Sequence, residues 1–355
     1  STIGNNIRLS VFGESHGEAI GCVIDGLPAG ARIDMESVRL DMARRAPGKD
    51  RTATPRLEKD EPHILSGMLD DVTTGAPLAM IIENTNTRSG DYGNLLTVPR
   101  PSHSDYPAYV KYNGFNDIRG GGHFSGRLTA PIVFAGAVAK QILSEKGIAV
   151  GAHIRQIGSV CDAAVDYNNI SADMLCELSS KTFSVIDESV EEKMRADVEK
   201  AKLSLDSVGG VVECFAVGLP VGIGANIFDT VESKLASLLF GIPAVKGVQF
   251  GLGFDFADKN ASNVNDEYEI KDGKVATLSN NNGGVLGGMT DGAPIVVSVA
   301  IKPTPSIASK QRSVNLQTME NAELEIKGRH DPCIVPRAVP VVEAAVAIGL
   351  LDLMM

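Results

Sequence analysis

Residues 13–17, with the sequence Gly-Glu-Ser-His-Gly, form a glycine-flanked loop between two segments that have the pattern of β-strands. Residues 7–12, before the loop, are mostly apolar. Residues 19–26, after it, are rich in β-branched residues, alternate in character and end at a turn, which is typical of a second strand. The sequence therefore predicts a strand on each side of a loop that presents His16 for proton transfer.

The same loop also contains Gly-x-Ser-x-Gly, the nucleophile elbow of serine hydrolases, with Ser15 at the nucleophile position. An elbow requires a strand before it and a helix after it. Here a strand pattern follows the loop, and the loop begins at residue 13, where a hydrolase would normally have several strands ahead of it. The context therefore disfavours a serine esterase that acts through Ser15. Covalent labelling of Ser15 would support that alternative.

The chain has 355 residues, enough for one large domain or two ordinary ones. Helix-like and strand-like segments are mixed, and no repeat or proline- and serine-rich linker divides them, so we expect one domain over residues 1–355. Helices are predicted at residues 35–46, 128–147, 187–205, 229–241 and 334–355. Strands are predicted at residues 78–83, 148–160, 210–217, 247–254 and 293–301.

Three long polar segments, residues 47–62, 84–105 and 255–284, separate these elements. Structureless segments of this length are uncommon in compact domains and usually act as functional lids or are disordered. We expect all three to be loops that cover a ligand, with disorder as the alternative for the third.

The net charge of −11 argues against a nucleic-acid groove, which would need clustered lysines and arginines. Arginines nevertheless cluster locally, which suggests a small anionic ligand. These arginines are Arg44, Arg45, Arg51, Arg56, Arg88, Arg100, Arg119, Arg127, Arg329 and Arg337.

The chain has five cysteines without a Cys-x-x-Cys pair, so we expect neither a disulfide framework nor a zinc site. This cysteine usage is typical of a protein in a reducing cytoplasm. Its six histidines lack metal-binding spacing, so we expect no catalytic metal. The long apolar run at residues 334–355 is interrupted by Arg337, Glu343 and Asp352, which favours a buried terminal helix over a membrane span.

A run of glycines at residues 120–122 leads directly into the second predicted helix. Backbone N–H groups of such a run can converge on an anion, and the helix dipole adds to the attraction. The run is not a dinucleotide fingerprint, because Ser125 stands at the position of the third glycine, and it lacks the Gly-Lys ending of a P-loop. Two further polar segments, residues 302–306 (Lys-Pro-Thr-Pro-Ser) and 328–333 (Gly-Arg-His-Asp-Pro-Cys), follow the last strand.

Together these segments resemble the chorismate synthase family along nearly the whole chain. Residues 13–28 resemble its first motif, residues 122–127 its second, and residues 329–344 its third. The resemblance implies an α+β fold, a single-domain β-α-β sandwich with internal helices between antiparallel sheets, assembled as a homotetramer.

The resemblance also implies an activity. The family's enzymes are lyases of the shikimate pathway of aromatic amino acid biosynthesis. They convert 5-enolpyruvylshikimate 3-phosphate to chorismate and phosphate by a 1,4-anti elimination. Reduced FMN is required, with no net redox change. Because 355 residues show no additional reductase domain, we expect a monofunctional enzyme that depends on an external flavin reductase and on NADPH only indirectly.

Residue roles follow from the same resemblance. His103 would protonate the departing phosphate, His16 would lie on the N1 side of the flavin and help set the charge of the reduced ring, and Asp331 would accept the N5 proton. The substrate's negative groups would be held by Arg45, Arg51, Arg100, Arg127 and Arg329, with Ser125 between substrate and flavin. FMN would be held by His123, Phe124, Ser125, Pro243, Ala244, Gly287, Lys302, Pro303, Thr304, Pro305, Ser306 and Arg329.

The chain departs from the family pattern at His123 and Phe124, where many members have arginine and serine, so the side-chain role of these two positions is open. A non-catalytic binding protein for a phosphorylated metabolite could use the same glycines and arginines. That alternative gives no role to His16, His103 and Asp331 together.

Overall fold

The computed structural model describes residues 1–48, 60–85, 95, 97–326 and 331–355. Within these residues the strands form two five-stranded sheets and four two-stranded ones, and all strand pairs are antiparallel. The helices are α1 (Met35–Arg45), α2 (Asp105–Lys111), α3 (Thr129–Ser144), α4 (Ala172–Ser180), α5 (Glu191–Leu203), α6 (Val231–Phe240), α7 (Ala261–Val264) and α8 (Val335–Met354).

The first large sheet has the order β1–β2–β3–β7–β4, with strands β1 (Thr2–Ile3), β2 (Arg8–Gly13), β3 (Ala19–Asp25), β7 (Leu78–Glu83) and β4 (His63–Ser66). The second has the order β11–β16–β10–β8–β9, with strands β11 (Val245–Phe250), β16 (Ile295–Ile301), β10 (Gly210–Val217), β8 (Ala149–Ile157) and β9 (Val160–Cys161). The small sheets are the hairpins β5–β6 (Met68–Leu69, Val72–Thr73), β12–β13 (Tyr268–Lys271, Lys274–Thr277), β14–β15 (Val285–Leu286, Met289–Thr290) and β17–β18 (Gln311–Asn315, Glu320–Leu324).

Helices α3 and α8 form an internal layer between the two large sheets. They pack against each other, α3 contacts β2, β3 and β7 of the first sheet and β8 of the second, and α8 contacts β8 and β10. Both helices are apolar around most of their circumference and almost fully buried, as a helix covered on all sides must be. The prediction of an α+β sandwich with internal helices is therefore confirmed.

The contact between α3 and α8 depends on Gly136. A Cβ added at this position would overlap the Cα and Cβ of Ala344, so the two helices can approach this closely only because Gly136 lacks a side chain. Ala344 is itself almost fully buried, which leaves it no room to move aside.

We therefore expect Gly136→Ala to lower the free energy of unfolding by about 1–3 kcal/mol, the usual cost of overpacking, despite the better helix propensity of alanine. Equilibrium denaturant titration measures the change. Gly126→Ala is a matched control, because a Cβ at Gly126 has no atom within 4 Å. Equal stability of the two variants would contradict a close helix crossing at Gly136.

The terminal helix α8 uses its charged residues inside the molecule. One carboxylate oxygen of Asp352 accepts hydrogen bonds from the backbone N–H groups of Asn5, Asn6 and Ile7 at 2.9, 2.6 and 2.8 Å, which fixes the start of the chain to its end. The predicted buried terminal helix is thus confirmed. In the part of the chain that the structure describes, no helix has the length and apolar character needed to cross a membrane.

Of the other predicted elements, β7 and β10 have the predicted bounds, and the rest are found with shifted ends. Asp34 caps α1 by accepting from the backbone N–H of Glu36 at 2.9 Å. Helix α6 begins after Thr230, whose hydroxyl accepts from the N–H of Ser233, and not at Asp229.

The segment 255–284 is a loop only in part. It contains most of a short 3₁₀ helix (Gly253–Asp258), α7 and the β12–β13 hairpin. Asp272 and Gly273 form the turn of this hairpin with φ of 51° and 75°, the backbone conformation that an Asp-Gly pair favours in two-residue turns. The prediction of a continuous loop was therefore wrong here, because this Asp-Gly pair is a hairpin signal that it left out. Of the other two segments, residues 49–59, 86–94 and 96 lie outside the described residues.

Candidate active site

The loop that presents His16 is the turn between β2 and β3, which pair as antiparallel neighbours. Ser15 and His16 are both buried, the backbone N–H of Ser15 donates to the carbonyl of Gly122 at 3.1 Å, and His16 Nδ1 lies 3.3 Å from Ser15 Oγ. A strand follows Ser15, as predicted. Ser15 therefore does not occupy the strand-to-helix turn that a nucleophile elbow requires.

The glycine run separates the two predicted catalytic histidines. Gly120, Gly121 and Gly122 have φ of 58°, 86° and 53°, a left-handed conformation that residues with a side chain rarely adopt. A Cβ on Gly120 would overlap the ring of His16, whereas a Cβ on Gly121 would lie 3.5 Å from Cε1 and Nε2 of His103. The structure thus brings His16 and His103 to the same short segment of backbone.

This arrangement gives a matched pair of substitutions. Gly120→Ala and Gly121→Ala both strain the backbone, but only the Gly120 variant also displaces the His16 ring. We expect Gly120→Ala to lower kcat/KM for the proposed reaction at least about ten-fold more than Gly121→Ala, because displacing a positioned group by a fraction of an ångström is costly. Steady-state kinetics of both variants check this, and equal losses would show that backbone strain alone matters.

His103 is partly buried and contacts the buried side chains of Arg100 and Asp105. Asp105 Oδ1 lies 2.6 Å from His103 Nδ1, and the carboxylate accepts from Arg100 through the backbone N–H (3.0 Å), Nε (2.7 Å) and Nη2 (2.8 Å). Burial by itself raises the pKa of Asp105, but the hydrogen bonds from Arg100 and His103 outweigh it and hold that pKa well below its usual range. Asp105 is therefore ionised at neutral pH.

The segment of residues 302–306 lies beside this cluster. Arg100 Nη1 donates to Ser306 Oγ at 3.3 Å, Lys302 Nζ donates to the carbonyl of Ser102 at 2.6 Å, and the N–H of Lys302 donates to the carbonyl of Ala244 at 2.9 Å. These bonds bring the predicted cofactor-binding residues 243–244 and 302–306 next to His103. Partial burial and the neighbouring charge of Lys246 lower the pKa of Lys302.

Two features of this region fit a bound group. Thr304 Oγ1 is buried and has no hydrogen-bond partner among the described residues, so it has unused capacity to bind a ligand. Ala244 has φ of 73°, a strained conformation for a residue with a side chain, and such strain is concentrated at binding sites.

Arg45 and Arg127 form a second charged group around Asp60. Arg45 Nη1 donates to Asp60 Oδ2 at 2.5 Å, and Arg127 forms an ion pair with the other oxygen of the same carboxylate. Burial raises the pKa of Asp60, but the charges of Arg45 and Arg127 outweigh this and lower it. The two guanidinium groups therefore share one carboxylate, and all three side chains are almost fully buried.

Asn84 links this group to the His16 loop. Its side-chain oxygen accepts from Arg127 Nε at 3.1 Å, and its Nδ2 donates to the carbonyls of Glu14 and Gly17, each at 3.0 Å. Sequence reasoning did not identify Asn84, Asp60 or Asp105. A single polar residue after a strand gives no local signal, whereas Asp105, two residues after His103, could have been recognised as a histidine partner.

Asp331 joins the same region from the other side. It forms an ion pair with Arg337, whose Nε donates to the carbonyl of Arg45 at 3.0 Å. The predicted substrate ligands Arg51 and Arg329 lie outside the described residues. The described residues among the predicted substrate ligands and acid–base groups therefore lie in one connected region. The glycine run, the Asp60 group and Arg337 link them.

Two further predicted cofactor residues, His123 and Phe124, follow the glycine run. His123 Nδ1 lies 2.8 Å from the carbonyl of Gly13, to which it donates, and Nε2 lies 2.7 Å from Ser1 Oγ, so its ring is already engaged on both nitrogens. Phe124 is half-exposed, with its ring 6.2 Å from that of Tyr112.

Gly287 lies near the start of α6, whereas Ala244 and Lys302, two other predicted cofactor residues, lie beyond the end of that helix. It is in the turn of β14–β15, whose Gly288 carbonyl accepts from Val231 at the start of α6, whereas Ala244 follows the end of that helix. A helix of ten residues is about 15 Å long, so the two ends of α6 separate Gly287 from Ala244 and Lys302.

The two-sheet α+β sandwich thus brings together a histidine–carboxylate pair, a second histidine and several arginines, an arrangement that is chemically suited to proton transfer on an anionic ligand. Comparison with known proteins identifies the family. The chorismate synthase family model matches residues 7–355, and the chain belongs to the chorismate synthase family.

Individual relatives cover nearly the full length. The chain is 48% identical to a chorismate synthase of Thermococcus kodakarensis over 98% of this chain and 96% of the relative. It is 44% identical to one of Dehalococcoides mccartyi over 99% of this chain and 96% of the relative. A crystal structure of a chorismate synthase matches with a TM-score of 0.77 and 29% identity, over 99% of this chain and 92% of the other. Family membership makes this chain a lyase of the shikimate pathway.

Proposed function

We propose that this enzyme eliminates phosphate from 5-enolpyruvylshikimate 3-phosphate to give chorismate, by a 1,4-anti elimination that requires reduced FMN. The observation that carries the proposal is the placement of His16 and His103 on either side of one glycine run, beside buried arginines, in a chain of this family. A binding protein gives no role to the buried His16 and the partly buried His103 at this position.

The substrate carries a phosphate and two carboxylates, and arginine binds such groups with two parallel hydrogen bonds. Arg45, Arg100 and Arg127 are proposed to bind them, together with Arg51 and Arg329. Asp60 already balances the charges of Arg45 and Arg127, so a substrate anion would have to share or displace that carboxylate. Each charge-assisted hydrogen bond contributes about 1.5–3 kcal/mol, so several arginines suffice for tight binding.

FMN is proposed to bind against Ser125, the backbone of residues 123–124 and 243–244, and residues 302–306, with Arg329. The unpartnered hydroxyl of Thr304 and the glycine run, which presents backbone without side chains, support this assignment. Gly287, in the β14–β15 turn near the start of α6, is proposed as a further FMN contact. When bound, reduced FMN supplies the electron-rich ring that the elimination requires, with no net redox change.

The acid–base roles are proposed for residues of this chain. His103 donates a proton to the phosphate oxygen as the C–O bond breaks, which stabilises the developing negative charge. His16, buried against Ser15 and the glycine run, stabilises the charge of the reduced ring. Asp331, which forms an ion pair with Arg337, would accept the N5 proton of the reduced flavin.

Further features are proposed from the sequence and the family resemblance. These are a single domain over residues 1–355, a homotetramer, a cytoplasmic location, and the segments at residues 47–62, 84–105 and 255–284 as covers of the site. NADPH acts only through an external flavin reductase. Turnover of the purified enzyme in air with only NADPH and FMN would contradict the monofunctional assignment.

The experiment that tests the function is anaerobic turnover of 5-enolpyruvylshikimate 3-phosphate with and without chemically reduced FMN. Chorismate absorbance and phosphate release are followed together, and we expect equal amounts of both, only with reduced FMN. Phosphate without chorismate would indicate hydrolysis and would return attention to Ser15. Tight substrate binding without any product would instead support a binding protein.

A further inference from the structure

The carboxylate of Asp105 lies directly against the imidazole of His103, with 2.6 Å between Oδ1 and Nδ1. The side chain of Asp105 is 8% exposed and that of His103 is 16% exposed. Arg100 holds the same carboxylate through three N–H groups, so Asp105 has little freedom to turn away from the histidine. A fixed carboxylate at this distance is the usual device for orienting an imidazole.

The contacts around Nδ1 decide the tautomer of His103. Three polar atoms lie near it: Asp105 Oδ1 at 2.6 Å, Arg100 Nη2 at 3.2 Å and Ser104 Oγ at 3.4 Å. The closest of them belongs to an ionised carboxylate, which can only accept a hydrogen bond. Nδ1 therefore carries a hydrogen and donates it to Asp105. The nitrogen that can exchange a proton with a ligand is then Nε2, which lies over the glycine run beside Gly121.

The charges that face His103 come from several elements. Arg100 on its own segment and Lys302, which donates to the carbonyl of Ser102, both oppose a positive imidazole. His16 lies on the other side of the glycine run, against Gly120. Among the described residues at this position, Asp105 supplies the negative charge, and it is the nearest charge to the ring.

We propose that Asp105 is the positioning residue for the acid of this reaction: it holds the His103 ring in place and fixes its Nδ1–H tautomer, so that Nε2 faces the ligand. The inference rests on the proposed function, in which His103 is the acid. As the C–O bond breaks, its electron pair stays on the phosphate oxygen and the Nε2 proton moves to that oxygen. His103 is left neutral, with Nδ1–H still bonded to Asp105.

Asp105→Asn tests the proposal, with Asp25→Asn as the control, because Asp25 is an exposed carboxylate that also pairs with an arginine, Arg8. We expect Asp105→Asn to lower kcat by about 10²-fold, since an amide cannot stabilise the imidazolium. The control variant should keep the wild-type kcat.

A double-mutant cycle separates positioning from general support. If Asp105 acts through His103, Asp105→Asn should change kcat less than about two-fold in the His103→Ala background. A loss in that background as large as in the wild type would overturn the proposal, because Asp105 would then act through Arg100 or through folding.

A measurement without turnover keeps the inference separate from the proposed function. In ligand-free enzyme labelled with ¹⁵N-histidine, the His103 signals, assigned by their loss in His103→Gln, should show the Nδ1–H tautomer. An Nε2–H tautomer in the wild type would overturn the proposal even if the Asp105 variant does not fold. Failure of the wild type to form chorismate would overturn the proposed function, and with it the acid role of His103.

Discussion

Replacing His103 with alanine is expected to lower kcat by about 10²–10⁴-fold, the range of a lost general acid. KM should change much less, because Arg100, Arg127 and Arg45 keep their positions around Asp105 and Asp60. Anaerobic steady-state kinetics with reduced FMN give both parameters. A loss confined to KM would mean that His103 binds the substrate without donating a proton.

The matched control is His63→Ala, because His63 is an exposed histidine on the edge strand β4. Its kcat should equal that of the wild type. The His103 variant should also unfold at nearly the wild-type temperature, since the ring is partly exposed and its loss leaves Asp105 still bonded to Arg100. A large fall in melting temperature together with kcat would indicate a structural role instead.

The second large effect is expected on stability, at Glu343 in the internal helix α8. Its side chain is fully buried and accepts from Arg44 Nη1 and Nη2 at 2.7 and 2.8 Å, from Lys140 Nζ at 3.2 Å and from the backbone N–H of Ala152 at 3.1 Å. This carboxylate therefore joins α1, α3, α8 and β8. Removing one partner of a buried ionic group leaves the others uncompensated, which costs about 3–5 kcal/mol.

Glu343→Ala should accordingly lower the free energy of unfolding by about 3 kcal/mol, the lower end of that range, because Asp41 still pairs with both Arg44 and Lys140. Equilibrium denaturant titration is the measurement, and Glu145→Ala, at an exposed position after α3, is the control. A loss below about 1 kcal/mol, the level of a surface ion pair, would contradict a structural role for this network.

The same group predicts a pH dependence. Burial raises the pKa of Glu343, but the charges of Arg44 and Lys140 outweigh it, so the pKa in the folded protein lies below that in the unfolded chain. Such a group stabilises the fold above its unfolded pKa, about 4.3, and the stabilisation is lost as pH falls through the folded pKa. Glu343→Gln should therefore lose less stability than the wild type between neutral pH and about pH 3.

Short-range patterns predicted much of the fold and the positions of several site residues. The strands around the His16 loop follow from β-branched residues ended by turns, and α1 follows from the capping side chain of Asp34. The sandwich itself came from family resemblance and not from these patterns. No local pattern identified Asp60, because its two arginine partners come from distant positions and its neighbours in sequence lack a distinctive spacing.

The sequence alone determined the glycine run, the loop histidines His16 and His103 and the apolar character of α8, because backbone freedom and side-chain chemistry are properties of each residue. Only the tertiary structure decided which charges meet. Arg44 and Glu343 are 299 positions apart and bind each other because α1 and α8 pack together inside the sandwich. It also decided that Gly287 and Ala244 lie at opposite ends of α6. The β14–β15 turn packs against the start of this helix, and Ala244 follows its end.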